Sequence, residues 1–308
     1  MMFLGFDTSN YTTSVAMFDG SSGCNRSRLL DVKQGELGLR QSDALFAHVK
    51  RLPELAEALF SGTDRSAICA VGVSSRPRAV EGSYMPCFLA GVSVAKTMAQ
   101  ALGVPYYEFS HQQGHVAAAL WSAGRLDLME QPHLAWHLSG GTTELLLVEP
   151  EVRNVRATKL GGTSDVSAGQ IIDRTGKLLQ LPFPSGKALD ALSRESDCKK
   201  RFKVKTADLC FSLSGLQNKV EAFYEESKSP ADTAAYAIRS VCDAVIRTTE
   251  DAWKRFPGLP VVFSGGVASN SMLRQLTKPL DPIFAEPAYS TDNAMGIAIL
   301  TWLQEAGR

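Results

Sequence analysis

The sequence predicts an α/β protein built from two similar lobes. Strand-like and helix-like patterns alternate through residues 26–120, the mark of an α/β chain. A hydroxyl-rich strand–turn–strand unit at residues 2–18 recurs, with glycines added, at 133–148, and such internal similarity marks a duplication. The length, 308 residues, is enough for two domains that each bury a core. The lobes are expected at residues 1–130 and 131–308, the second with a helical insertion, facing one another across a nucleotide-sized cleft.

Taken in order, residues 2–8 and 12–18 are apolar-rich runs around Ser9-Asn10-Tyr11. Asp7, Thr8, Ser9, Thr12 and Thr13 crowd the turn. Such residues favour turns through local hydrogen bonds, and they can also bring donors to a phosphate or its metal. Residues 26–33 read as a third strand and 42–60 as an amphipathic helix disturbed by Pro53. Ile68 to Ser74 is a short apolar strand, and Arg76-Pro77-Arg78 opens an irregular loop. Phe88, Leu89, Val92, Ala95, Met98 and Leu102 fall near helical spacing and mark a helix over 86–102.

Ser110-His111-Gln112-Gln113-Gly114-His115 closes the first half. Residues 104–109 read as a strand, Ser110 as an N-cap, and the following segment as a helix. Residues i and i+4 share one helix face, so two imidazoles can converge on one ion such as zinc or iron(II). Surface or capping chemistry is the other reading of the pair, and a metal needs a third ligand. The helical metalloprotease pattern places a glutamate base after its first histidine; Gln112 stands there, so proteolysis is not expected.

The second half opens with a strand at His133–Leu138, the turn Ser139-Gly140-Gly141-Thr142 and a returning strand from Thr143 to Val148. His133 and His137 alternate along a strand and read as structural. Val152 to Leu160 is a further strand, and a helix from Ser167 to Leu181 carries Asp173 on its polar side. Pro182 to Gly186 reads as a rigid loop whose glycine lets backbone approach a ligand. The one basic run, 199–205, reads as a solvated face or a lysine-protected edge, with phosphate contact as the alternative. Helices follow at 214–226 and 230–254. A buried strand at 260–264 then ends in Gly265-Gly266 and Asn270 before another helix, an arrangement that packs backbone against nucleotides. Asp292 caps the last helix, 293–305, and is also the carboxylate best suited to complete the histidine site.

Composition narrows the class. With 44% hydrophobic and 21% charged residues the chain reads as globular, and a formal net charge of zero argues against broad nonspecific nucleic-acid binding. No run of 18 apolar residues suggests a membrane span, and the start lacks the basic region of a signal peptide. Six scattered cysteines without a Cys-x-x-Cys pair suit reduced, buried thiols in the cytoplasm. Neither a P-loop nor a Gly-x-Gly-x-x-Gly fingerprint is present.

In order and spacing, several of these pieces resemble the TsaD (Gcp, glycoprotease) family of tRNA threonylcarbamoyladenosine transferases. The matching pieces are Gly5-Phe6-Asp7-Thr8-Ser9, His111-x3-His115, Ser139-Gly140-Gly141-x-Thr143, the glycine pair through Asn270, and Thr291-Asp292-Asn293. Ala168-Gly169 to Asp173, Pro184-x-Gly186 and Phe211-Ser212-x-Ser214-Gly215-Leu216 match as well. The resemblance implies an actin-like (ASKHA, ribonuclease H-like) duplicated fold. It implies one divalent metal, Zn²⁺ or Fe²⁺, on His111, His115 and Asp292, which would be the catalytic set. It also implies adenine-nucleotide contacts from Asp7, Ser139, Gly140, Gly141, Thr142, Asp173, Gly186, Gly265, Gly266 and Asn270. The implied reaction moves threonylcarbamoyl from threonylcarbamoyl-AMP to N6 of adenosine 37 in tRNA, in the cytoplasm, with a TsaB-like subunit and a TsaE-like ATPase as partners.

The chain departs from the family pattern in places. Thr142 replaces the usual His, Arg76-Pro77-Arg78 replaces a Gly-Pro-Gly loop, one acid of a pair is lost at Asp165-Val166, and Gln170 replaces a Glu. Two other readings therefore stand beside the transferase: a catalytically altered paralogue acting as a nucleotide-binding scaffold, and an actin-like ATPase or small-molecule kinase. Because His111 and Asp292 are far apart in sequence, the metal site is expected to need both lobes.

Overall fold

The computed structural model describes residues 1–9, 11–31, 39–291 and 293–306. Asn10 of the expected first turn, the end of the expected third strand and Asp292 lie outside these. Packing divides the chain into two compact units: Met1–Gln131 with Glu149–Ala157 and Asp292–Arg308, and Pro132–Val148 with Thr158–Thr291. The expected lobe 131–308 is thus redrawn, because two of its segments pack with the N-terminal residues.

The first unit begins with strands β1 (Met2–Asp7), β2 (Thr12–Phe18) and β3 (Gly23–Leu29), then helix α1 (Gln41–Phe60), strand β4 (Ile68–Arg76), helix α2 (Phe88–Leu102), strand β5 (Tyr106–Ser110) and helix α3 (His111–Ser122). The sheet order is β3-β2-β1-β4-β5, with β1 antiparallel to β2 and parallel to β4. Leu4 and Phe6 alternate into a core with Val15, Leu52, Val71, Val73 and Ala95, as the two-residue strand period requires. Pro53 lies inside α1 without ending it; Leu52, Ala56 and Leu59 are buried on either side of it and hold the helix in place. The third strand starts earlier than expected, because pairing with β2 already begins at Gly23 opposite Phe18.

The second unit holds β6 (His133–Leu138), most of β7 (Thr143–Glu151) and of β8 (Asn154–Thr163), whose joined ends over Glu149–Ala157 belong to the first unit, and then α4 (Ala168–Leu178), α5 (Gly186–Ser193), β9 (Thr206–Ala207), β10 (Cys210–Phe211), α6 (Ser214–Ser227), α7 (Pro230–Arg255), β11 (Val261–Ser264), α8 (Ser271–Leu276) and β12 (Ile283–Phe284). Its sheet runs β12-β11-β6-β7-β8-β10-β9. Trp136, fully buried on β6, donates its indole N–H to Thr249 on α7 at 2.9 Å. The basic run 199–205 has no regular structure and leads into the edge strand β9. Arg201 pairs with Asp243, and Lys200 lies over Phe223, so part of the run serves local packing. All six cysteines are free, but only Cys87 and Cys242 are buried, so burial of the thiols is narrower than expected. Among the described residues no helix is long and apolar enough to cross a membrane.

The chain ends in α9 (Met295–Glu305), whose Met295 to Leu300 are buried. This helix packs on β1 and on α3 within the first unit. At the α3 crossing Gly296 sits against the Gly114 carbonyl, and a Cβ there would collide with it. Backbone cannot yield as a flexible side chain does, so Gly296→Ala is expected to destabilise the protein by roughly 1–3 kcal/mol. Gly215→Ala on α6, where a Cβ meets open space, should be neutral or slightly stabilising. Urea unfolding of both variants checks the contrast.

Candidate functional site

Two constellations emerge, one in each unit. In the first, Ser110 caps α3 through a reciprocal box: its hydroxyl accepts from Gln113 N, and the Gln113 side chain accepts from Ser110 N at 2.9 Å. Gln113 Nε2 also donates to Val155 O at 2.8 Å, which fixes the helix start. His111 and His115 then emerge one turn apart, with ring centroids 4.2 Å apart at 71°.

Asp7, at the end of β1 and only 1% exposed, faces them. Its Oδ1 accepts from Ser9 N at 2.9 Å and Ser74 Oγ at 2.6 Å. Its Oδ2 lies 2.8 Å from His111 Nδ1 and accepts from Ser9 Oγ at 3.2 Å. An ionised carboxylate only accepts, so Nδ1 carries a proton, and in the neutral form of the ring Nε2 keeps its lone pair. Metal-ligating histidines are commonly held in this way by a carboxylate on the other nitrogen. Asp292 lies outside the described residues, and among the described residues no group of three His, Cys, Asp or Glu side chains is placed to hold a metal. The expectation that this site needs both lobes is corrected: α3, β1 and α9 all belong to one unit.

The second constellation is a pocket of about 470 Å³ in the other unit, within the usual size range for small-molecule sites. Gly140, Asp173, Gly186, Gly266 and Asn270, all singled out from the sequence, line it together. The turn at 139–142 is seated on the start of α4. Ser167 caps that helix and donates to Gly140 O at 2.6 Å, while Ala168 N donates to Thr143 Oγ1 at 2.8 Å. Gly169 permits this seating, since a Cβ there would meet Gly140 and the Ser139 carbonyl.

Asp173 accepts from Ser185 N at 2.8 Å through Oδ1, which anchors the loop before α5 and leaves Oδ2 without a hydrogen bond among the described residues. Asn270 caps α8, its Oδ1 accepting from Leu273 N at 2.9 Å, so its amide donors remain available. Ser139, Gly141, Thr142 and Gly265 do not line the pocket. Ser139 Oγ instead accepts from Thr142 N at 3.0 Å and closes the turn.

Lys187 and Asp190 line the pocket too and were missed from the sequence. Asp190 accepts from Ser271 N and Oγ at 3.0 and 2.8 Å, and lies one helical turn after Gly186. That four-residue spacing is the signal that could have found it. Asp165, left single in the sequence, ties two elements together: it accepts from Ser212 Oγ and from the backbone N–H groups of Leu213 and Val166. Burial raises its pKa, but these hydrogen bonds outweigh burial and hold it well below the usual carboxylate range.

A family model described as TsaD, tRNA N6-adenosine threonylcarbamoyltransferase, matches residues 34–299. The chain belongs to the TsaD family. A relative in Carboxydothermus hydrogenoformans, named tRNA N6-adenosine threonylcarbamoyltransferase, is 30% identical over 312 residues, covering 96% of this chain and 90% of its own length. Among solved structures, T. kodakarensis HypF matches with a TM-score of 0.62 at 13% identity, over 99% of this chain and 47% of that one. The ROK hexokinase of Thermus thermophilus matches with a TM-score of 0.56 at 15% identity, over 100% of both chains. These likenesses bear out the actin-like two-lobe α/β fold that the TsaD resemblance implied.

The donors around Asp7 offset the cost of burying its charge. Ser74→Ala removes the shortest of them, and the expected loss is about 1–3 kcal/mol of stability, measured by chemical unfolding with far-UV circular dichroism.

Proposed function

We propose that the chain transfers threonylcarbamoyl from threonylcarbamoyl-AMP to N6 of adenosine 37 in tRNA, in the cytoplasm. TsaD membership sets the reaction class. The observation that carries it to this chain is the His111–His115 pair, side by side with the His111 tautomer fixed by Asp7. In the reaction N6 attacks the carbamoyl carbon, a C–N bond forms, the bond from that carbon to the phosphate oxygen breaks, N6 loses a proton, and AMP leaves.

His111, His115 and Asp292 would hold one divalent ion, Zn²⁺ or Fe²⁺, which when bound supplies Lewis-acid polarisation of the carbamoyl–phosphate group. The donor chemistry fits: two imidazoles, one anchored by a carboxylate, and a further carboxylate in the segment leading into α9. That helix meets α3 at Gly114, next to His115. Asp7 would act through His111 by holding its orientation and tautomer.

The nucleotide moiety would occupy the pocket of the second unit. Asp173 Oδ2 would accept from ribose hydroxyls, the Asn270 amide would donate, and Lys187 together with the Gly140 backbone N–H would face phosphate. With zero formal net charge, the chain binds tRNA weakly alone, and a TsaB-like subunit with a TsaE-like ATPase completes the system.

His111→Ala and His115→Ala are each expected to abolish bound metal and transfer. Gln112→Ala, which removes no proton-transfer group, should stay within a few-fold of wild type. Metal analysis together with a modified-nucleoside assay on tRNA distinguishes these outcomes, and full activity in both metal-free histidine variants would refute the assignment. Asp173→Ala should weaken AMP binding by about 1.5–3 kcal/mol, the cost of losing a charged acceptor; calorimetry gives the value, and unchanged affinity would move the nucleotide elsewhere.

A further inference from the structure

We propose that the loop from Arg76 to Tyr84 is a contact surface for single-stranded RNA, its arginines on backbone phosphates and Tyr84 stacked on a base. The proposal rests on the transferase reading and deepens it by naming where the acceptor is held.

Both ends of the loop are fastened to the histidine site. At the start, Arg76 lies in register with Ser110 across β4 and β5, and Pro77 O accepts from Gln112 N at 3.1 Å. At the end, Cys87 O accepts from Thr8 Oγ1 at 3.0 Å, and the Phe88 ring stands edge-on to His111 at 6.3 Å. Whatever the loop presents to solvent is therefore presented beside the chemistry.

Its neck is shaped by its own hydrogen bonds. Arg78 N donates to Ser83 Oγ at 3.0 Å, and Ser83 N donates to Val80 O at 3.2 Å. This draws Arg78 to the residue next to Tyr84. Tyr84 is 63% exposed, an aromatic face left in water. Arg76 is half-buried and makes no side-chain hydrogen bond or ion pair among the described residues, so an incoming anion would satisfy it. Glu81 is the one carboxylate of the stretch and lies in the turn between Val80 and Ser83, while both arginines stand at the neck.

A neutral chain lacks the broad basic footprint of a duplex binder. A small cationic patch paired with an exposed ring is instead what holds unpaired nucleotides, through phosphate contacts and base stacking.

The test titrates full-length wild type, Arg76→Ala, Arg78→Ala, Tyr84→Ala and Tyr84→Phe with a fluorescent, unmodified anticodon stem–loop RNA at several low ionic strengths, with AMP calorimetry and thermal melts alongside. Tyr84→Ala is expected to weaken RNA binding about tenfold, and Tyr84→Phe, which keeps the ring, to recover most of it. Each arginine variant should reduce the slope of log affinity against log salt by about 0.7, with AMP binding and melting unchanged. Wild-type affinity in all four variants, no RNA binding by the wild type, or a loss confined to AMP binding would each overturn the proposal; the last would assign the arginines to the acyl donor. Failure of the transferase reading looks different: RNA binding would still depend on the loop, while wild type with its partner subunits would leave adenosine unmodified.

Discussion

A carboxylate buried at the end of a central strand must find donors, and in this chain Asp7 gathers them from three directions. Ser9 comes from the turn beyond β1, Ser74 from the neighbouring strand β4, and His111 from the first residue of α3. An unpaired buried charge costs several kcal/mol, so these segments cannot drift apart independently. The strand order β1-β4-β5 delivers Ser74 beside Asp7 and puts Ser110 on the next strand over, where its cap sets the angle at which His111 leaves the strand. Sheet order, cap and imidazole orientation thus depend on one carboxylate.

The start of α3 was legible in the sequence because its signals are local. A serine before the helix with Gln113 three residues on makes a capping box, and a four-residue histidine spacing needs no tertiary knowledge. The glycine turn at 139–142 was legible for the same reason. Helix α5 was not, since an eight-residue segment behind Pro182-Phe183-Pro184 is too short to show a period, and Asp190 and Lys187 were overlooked with it. The expected end of α4 at Leu181 overshot because Leu179 and Leu181 continue the apolar pattern, whereas Gln180 turns left-handed at φ 58°. The regrouping of residues 149–157 and of α9 with the first unit has no local signal at all; long-range packing decides it.

Each constellation is rigidified from within its own unit. Around the histidines the fixing contacts come from β1, β4 and the cap of α3. Around the pocket they come from Ser167, Asp173, Asp190 and Asn270, each of which uses one polar atom on the protein backbone. Asp173 keeps a second oxygen and Asn270 its amide uncommitted among the described residues, while the scaffold bond holds each side chain in one rotamer, which limits the freedom any binding event would cost. Ser139 stands outside the lining and uses its hydroxyl oxygen to close its turn.

The packing of α9 has a consequence for the order in which the protein is made. Domains emerging from the ribosome tend to fold from the N-terminus, but the first unit here draws on residues from the beginning, the middle and the end of the chain. One face of its sheet packs on α1 and α2, but the contacts of α9 with β1, such as Ala298 against Gly5, wait until Met295 to Leu300 have been synthesised, and β7–β8 must supply Val155 before Gln113 has its acceptor. The second unit, continuous except for one excursion, can close earlier. The histidine-bearing half of the molecule is therefore the last to be finished, although it is the first to be translated.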